Sequence, residues 1–110
     1  MAHFLTQVAY TPEAWATLVE HPQARSEQVR PAVEKLGGRV IGGYLCFGEY
    51  DLILITEFPT SIDIAALAIA AAAGGSIRAI KTTPLLTQEE GMEAIKKAKT
   101  SGYRAVSAGA

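Results

Sequence analysis

Leu52-Ile53-Leu54-Ile55, inside the stretch FGEYDLILITEFP, is a run of branched aliphatic residues held between Asp51 and Thr56. Strand side chains alternate between the two faces of a sheet, so this run presents apolar groups on both. The chain has 110 residues, enough for one domain and too few for two. Whatever fold it adopts must cover both faces of that strand with little material.

The neighbouring residues supply a partner strand. Arg39–Phe47 and Asp51–Phe58 read as two strands joined at Gly48-Glu49, where glycine in the first central position suits a two-residue type II′ turn. That turn sets Phe47 opposite Tyr50, Cys46 opposite Asp51, Leu45 opposite Leu52 and Tyr44 opposite Ile53. One face of the hairpin then carries Ile41, Gly43, Leu45, Phe47, Tyr50, Leu52, Leu54, Thr56 and Phe58. The other carries Val40, Gly42, Tyr44, Cys46, Asp51, Ile53, Ile55 and Glu57.

Helices are legible on either side. Thr11 caps a helix that opens at Pro12, where a missing N–H costs nothing, and Trp15, Leu18 and Val19 recur at helical spacing to Glu20. His21-Pro22 interrupts it. Val29, Val33 and Leu36 resume the pattern, with a kink or restart expected at Pro31 and an end at Gly37-Gly38. The segment IAALAIAAAA, residues 64–73, is too short for a membrane span, which takes about 20 residues. It reads as a helix capped by Thr60 or Ser61, favoured by Asp63 at its N-terminus and pressed on a flat surface.

Two more strands complete a sheet: His3–Tyr10, and Ser76–Thr83, which Pro84 is expected to stop. The order is strand, helix, strand, strand, helix, strand. This is the α+β, ferredoxin-like βαββαβ arrangement, a four-stranded antiparallel sheet with its helices on one face. Residues 1–86 make that unit. Thr87-Gln88-Glu89-Glu90 is a capping box, so residues 87–110 are read as an added C-terminal helix, Gln88 to about Lys99, and a tail of the same single domain.

Helices on one face leave Val40, Tyr44, Ile53 and Ile55 on the other, which water would ordinarily meet with polar residues. A second copy of the chain, packed sheet against sheet into a dimeric α+β barrel, is the expected cover. The rival cover is the terminal helix folded back. The run EKLGGRVIGGYLCFGEYDLILITEFP, the alanine-rich helix, the double glycine and IRAIKTTPLLT together resemble the GYD (Gly-Tyr-Asp) domain family, from TQVAYT to the capping box. The resemblance implies the ferredoxin-like fold and the dimeric barrel, puts the family's signature on Gly48, Glu49, Tyr50 and Asp51, and implies no established activity.

Composition narrows the function. A net charge of -1 leaves no basic footprint for nucleic acid, and the local excess of Lys96, Lys97, Lys99 and Arg104 reads as a solvated helix face or tail. The single cysteine, Cys46, excludes an internal disulfide, and MAHFLTQVAY lacks the parts of a signal peptide, so a cytoplasmic location is expected. His3 and His21 are isolated, so no metal site is read, and no glycine-rich phosphate loop points to a nucleotide; no cofactor is expected. RNA recognition would need aromatic and basic residues where LILI stands. An acylphosphatase-like cradle and the long loop of a PII-like protein are equally missing.

The candidate site is the acidic end of the hairpin. If Asp51 shares the second face with Cys46 and Tyr44, it lines a cavity whose floor Gly42 leaves open, and partial burial makes it a general base with Tyr44 or Tyr50 as orienting hydroxyl. The ligand-binding set is then Tyr44, Cys46, Gly48, Glu49, Tyr50 and Asp51. The competing reading gives the same residues a turn, a cross-strand pair and a local hydrogen bond. Tyr10 and Trp15 flank a turn that offers room for a pocket between sheet and helices, with core packing as the ordinary alternative. Arg25, Arg39, Arg78 and Lys81 are the cations an anionic substrate would meet, each an ordinary surface residue otherwise. The expected function is a homo-oligomeric module for a small apolar organic molecule or for assembly. The alternative is a cofactor-independent oxygenase or isomerase acting on a small organic substrate.

Overall fold

The computed structural model describes residues 1–106; the last four residues of the expected tail, 107–110, lie outside the described residues. Its elements in chain order are β1 (Ala2–Tyr10), α1 (Pro12–Glu20), α2 (Arg25–Lys35), β2 (Arg39–Leu45), β3 (Leu52–Phe58), α3 (Ser61–Ala73), β4 (Ile77–Leu85) and α4 (Gln88–Lys99). The strands form one sheet in the order β2-β3-β1-β4, and every neighbouring pair is antiparallel. This is the α+β, ferredoxin-like plan, with its first crossover helix divided in two.

Local chemistry accounts for the boundaries. The Thr11 hydroxyl accepts from Ala14 N–H at 3.1 Å and caps α1, whose first residue is Pro12. At the end of α2, Gly37 takes φ +84°; its N–H reaches Glu34 O and that of Gly38 reaches Val33 O, both at 2.9 Å. Those two bonds are a Schellman closure, which requires the left-handed residue glycine supplies. Pro31 neither stops nor restarts α2, which runs through it. Asp63 accepts from the Thr60 N–H at 3.1 Å at the start of α3, and Thr87 and Glu90 exchange bonds of 2.8 and 3.1 Å at the start of α4.

The core lies between the helices and one sheet face, in two clusters. Phe4, Val33, Val40, Phe58 and Ile64 form one; Val8, Tyr10, Leu52 and Leu54 form the other, with Trp15, Leu18, Ile77 and Ile80 against it. Gly38 is part of the first by having no side chain: a Cβ there would stand 2.5 Å from the Phe58 ring.

Three details depart from the sequence reading. The β2–β3 register follows expectation from Leu45↔Leu52 to Gly42↔Ile55, then slips at a bulge that pairs Val40 with Thr56. The extra residue turns Val40 into the core and leaves Ile41 exposed, reversing their expected faces. The hairpin end is wider than a two-residue turn. The ladder closes at Leu45↔Leu52, beyond which Cys46 N–H donates to Asp51 O at 2.8 Å, and Phe47 is almost wholly exposed rather than packed against Tyr50. Gly48 takes φ +131°, outside the type II′ geometry. Finally, Pro84 lies within β4 and opposite Phe4. β4 is an edge strand, where a missing N–H can face away from the sheet.

On the outer face, Leu5 pairs with Ile55 and Gln7 with Ile53, and all four are half-buried. Glu57 closes one end of that face between Arg39 (2.9 Å) and His3 (3.2 Å). The terminal helix does not fold back over it: Met92 and Ile95 of α4 are 53% and 65% exposed, and the molecule extends over 61 × 33 × 22 Å.

Gly38 and Gly42 should respond differently to the same added methyl group. Gly38→Ala forces Phe58 from its seat and is expected to cost about 1–3 kcal/mol, lowering the melting temperature by roughly 5–15 °C. At Gly42 the new Cβ would meet only the Tyr44 ring, at 3.7 Å, so Gly42→Ala should stay within about 1 kcal/mol of the parent. Equal losses in calorimetry would refute the close packing of Gly38 on Phe58.

Candidate functional site

The alanine-rich composition of α3 has a consequence for the space beneath it. Only Ile64 of this helix is buried, and its small side chains do not fill the gap to the sheet. A cavity of about 330 Å³ remains between α2, α3 and the inner sheet face, so α3 is not simply pressed onto a flat surface. Val8, Leu52, Leu54, Ile64, Leu67 and Ile80 make its apolar wall, and Ala32, Ala68 and Ala71 line it from the helices.

Its polar groups are few. Arg25, the first residue of α2, is the one charged side chain in the lining, accompanied by Tyr10, Gln28 and Ser76. Thr6 also contributes to the wall; it is 5% exposed, and its hydroxyl has no partner among the described residues. A buried hydroxyl left unpaired costs about 1–3 kcal/mol, a penalty that a bound molecule or water would relieve. A smaller recess of about 120 Å³ adjoins the same end, sharing Tyr10, Arg25 and Ser76 with the first.

Burial pushes the Tyr10 hydroxyl above the ordinary tyrosine range, and the charge of Asp51 adds to this; hydrogen bonding and charge from Arg25 pull the other way without cancelling it. Tyr10 is therefore a neutral hydrogen-bond donor at physiological pH. Its ring meets Trp15 edge to face at 5.5 Å, an arrangement favoured by the ring quadrupoles. Both the core role and the pocket role expected for Tyr10 are realised together.

The hairpin residues take other places. Asp51 Oδ2 accepts from the Tyr10 backbone N–H at 2.9 Å and the Trp15 indole N–H at 3.3 Å, and the Asp51 N–H donates to Val8 O at 2.8 Å. Its carboxylate is thus turned toward the β1–α1 corner rather than toward Tyr44 and Cys46. Once the ladder has ended at Leu52, strict alternation no longer dictates where Asp51 points. Tyr44 stands on the outer face, 65% exposed, opposite Ile53. The Cys46 thiol lies 3.2 Å from the Tyr50 carbonyl oxygen, to which it donates. Gly48 and Glu49 are exposed and Tyr50 is half-buried. None of these six residues lines the 330 Å³ cavity. Among the described residues no group of three or more His, Cys, Asp or Glu could hold a metal ion, and no helix is long and apolar enough to cross a membrane.

The sheet order, the antiparallel pairing and the helices on one face define a ferredoxin-like α+β protein. The GYD domain profile matches residues 4–95, and the chain belongs to that family. Among solved structures it is similar to hypothetical protein PHS023 from Pyrococcus horikoshii, with 17% identity, a TM-score of 0.50, and coverage of 79% of this chain and 92% of that one. It is also similar to FFRP-DM1, with 19% identity, a TM-score of 0.48, and coverage of 78% and 100%. At these identities the first likeness bears on the fold alone. No curated protein matches the sequence.

Two measurements check this geometry. Asp51→Ala leaves the Tyr10 and Trp15 N–H groups without their acceptor and should cost about 2 kcal/mol, whereas Asp51→Asn retains a carbonyl oxygen and should cost less than half of that. Urea titrations followed by the fluorescence of Trp15, the only tryptophan, would show equal costs if the carboxylate has no such role. The raised Tyr10 pKa means that folding favours the neutral phenol. Its contribution to stability is complete below the unfolded value, about pH 10, and is lost as pH rises through the folded one. Tyr10→Phe should remove that alkaline loss from the stability–pH curve; an unchanged curve would contradict the assignment.

Proposed function

We propose that this GYD-domain protein is a homo-oligomeric module that binds a small, largely apolar organic molecule between its helix layer and its sheet. The observation that carries the reading is the 330 Å³ cavity, which lies at the lower end of the range of small-molecule sites and has their composition, an apolar wall with a few convergent polar groups. An occupant in contact with these aliphatic side chains would remove apolar surface from water and so strengthen the fold as well as use the site. The outer face supports the oligomeric half. Leu5, Ile53 and Ile55 make an apolar band across the two central strands, α4 leaves them uncovered, and a second copy related by twofold symmetry would bury the same band on both sides.

The oxygenase or isomerase alternative draws no comparable support. Of the hydroxyls it assigns, that of Tyr44 stands on the outer face, away from the Asp51 carboxylate, neither Tyr44 nor Tyr50 lines the cavity, and one oxygen of Asp51, its base, already accepts two hydrogen bonds.

Native mass spectrometry of the purified protein, followed by extraction and identification of released organic compounds, tests the binding half. Ala71→Phe fills the cavity from α3 and is expected to fold while losing the bound compound. Retention of the compound by that variant would place it elsewhere and refute the reading. For assembly, Ile55→Lys puts a charge at the centre of the outer band and should turn the multimer into monomer by light scattering. A parent chain already monomeric at micromolar concentration would end the sheet-to-sheet proposal.

A further inference from the structure

Resting on the reading of the cavity as a binding site, we infer that its ligand is a small amphipathic organic monoanion, such as a carboxylic acid. The charged head lies at the Arg25–Tyr10 end and the apolar body lies between α3 and the sheet. Among the described residues the lining carries one formal charge, the Arg25 guanidinium, and no carboxylate. Three other cations are paired within the chain, Arg30 with Glu27 at 3.0 Å, Arg39 with Glu57 at 2.9 Å and Lys97 with Glu93 at 3.9 Å, and of the cations without a carboxylate partner among the described residues Arg25 is the one that lines the cavity. Arg25 has no carboxylate within 4.0 Å among the described residues. Asp51, whose charge reaches Tyr10, is not in the lining, and its Oδ2 faces the Tyr10 and Trp15 N–H groups instead.

Two further features give that end of the cavity the same sign. Tyr10 lines the cavity beside Arg25, and its hydroxyl is a donor to an acceptor bound there. α2 begins at Arg25 with Ala24 at its N-cap, a residue with no side-chain acceptor for the first-turn amides; Glu27 N–H and Gln28 N–H reach the Ala24 carbonyl, while the N–H of Arg25, the α2 residue in the lining, has no partner among the described residues. Open amides at a helix start, together with the positive end of its dipole, favour an anion. A planar guanidinium matches a carboxylate in two-point geometry. Away from Arg25 the lining is mostly aliphatic, with Leu54, Ile64 and Leu67 beside the single hydroxyl of Thr6, a poor setting for a hydrated ion. A bare phosphate would therefore satisfy one end and leave the larger part of the cavity without contacts, whereas an acid with an aliphatic or single-ring body occupies both.

The test compares octanoate with octanol by isothermal titration, using the intact protein freed of any bound compound, the Arg25→Gln and Ala71→Phe variants, and two salt concentrations. Octanoate should bind the parent more tightly than octanol does. Arg25→Gln should weaken octanoate by roughly tenfold to a hundredfold, the loss of one charge-assisted hydrogen-bonded pair, and leave octanol unchanged. Should Arg25→Gln fail to fold, the parent protein still decides the matter, since added salt should weaken octanoate and not octanol. Octanol binding as tightly as octanoate, with neither salt nor Arg25→Gln separating them, would overturn the anion assignment and leave the apolar cavity standing. Binding of both that survives Ala71→Phe, or binding of neither, would overturn the cavity reading itself.

Discussion

A four-stranded sheet has two faces, and a chain of this length folds enough helix to cover one. The rest of the structure follows from how that single layer of helix is placed. Phe4, Val8, Leu52, Leu54 and Phe58 face it and are buried; Leu5, Ile53 and Ile55, one residue out of phase, face away and remain half-buried. Burial of branched side chains contributes on the order of 1.5–3 kcal/mol apiece, so both sets matter to stability, and only the first obtains that contribution within one chain. The second set is the physical reason to expect association. It owes nothing to any special motif and everything to the run Leu52–Ile55 being apolar at every position.

The same layer is covered unevenly. α2 closes tightly over β2, where Gly43 would put a Cβ 2.6 Å from Ser26, while α3 meets the sheet through Ile64 and a row of alanines. An alanine buries little area and reaches only a short way from the helix axis, so a helix made of it either approaches closely or leaves space. Here it leaves space. The cavity thus arises where the sequence has good helix formers but little volume, and Arg25 is the one charged group of the described residues that lines it.

How much of this was legible in the sequence depended on whether a local rule governed the residue. Capping at Thr11 and Thr87, the closure at Gly37-Gly38 and the hairpin register near Leu45 and Leu52 follow from hydrogen bonding and strand alternation, and the structure has them. The faces of Val40 and Ile41 do not, because a bulge adds a residue that alternation cannot anticipate. Pro84 would stop a central strand, where its missing N–H matters; only the sheet order reveals that β4 is an edge. Alternation puts Asp51 on the outer face only if the ladder runs one residue beyond its end at Leu52. The cavity had two traces in the sequence. Thr6 is a hydroxyl in the apolar set Phe4, Val8, Tyr10, and α3 ends in a run of four alanines after Ile69. Each gains its meaning from the tertiary structure, in which both face the same gap.

The resemblance that centred on Gly48–Asp51 and the cavity that contains none of those residues are connected through Tyr10. Asp51 holds the backbone N–H of Tyr10 and the indole of Trp15, whose ring packs edge to face on the Tyr10 ring. Those contacts fix Tyr10 from behind and from the side, which leaves its hydroxyl end beside Arg25 in the cavity lining. A wide hairpin end is what permits this, for a tight two-residue turn with Asp51 in the ladder would have set its side chain with Cys46 and Tyr44 on the outer face. An acidic residue at the end of β3 can therefore shape a pocket without entering it, and a role of that kind asks of Asp51 an acceptor oxygen in a fixed position rather than a basic one.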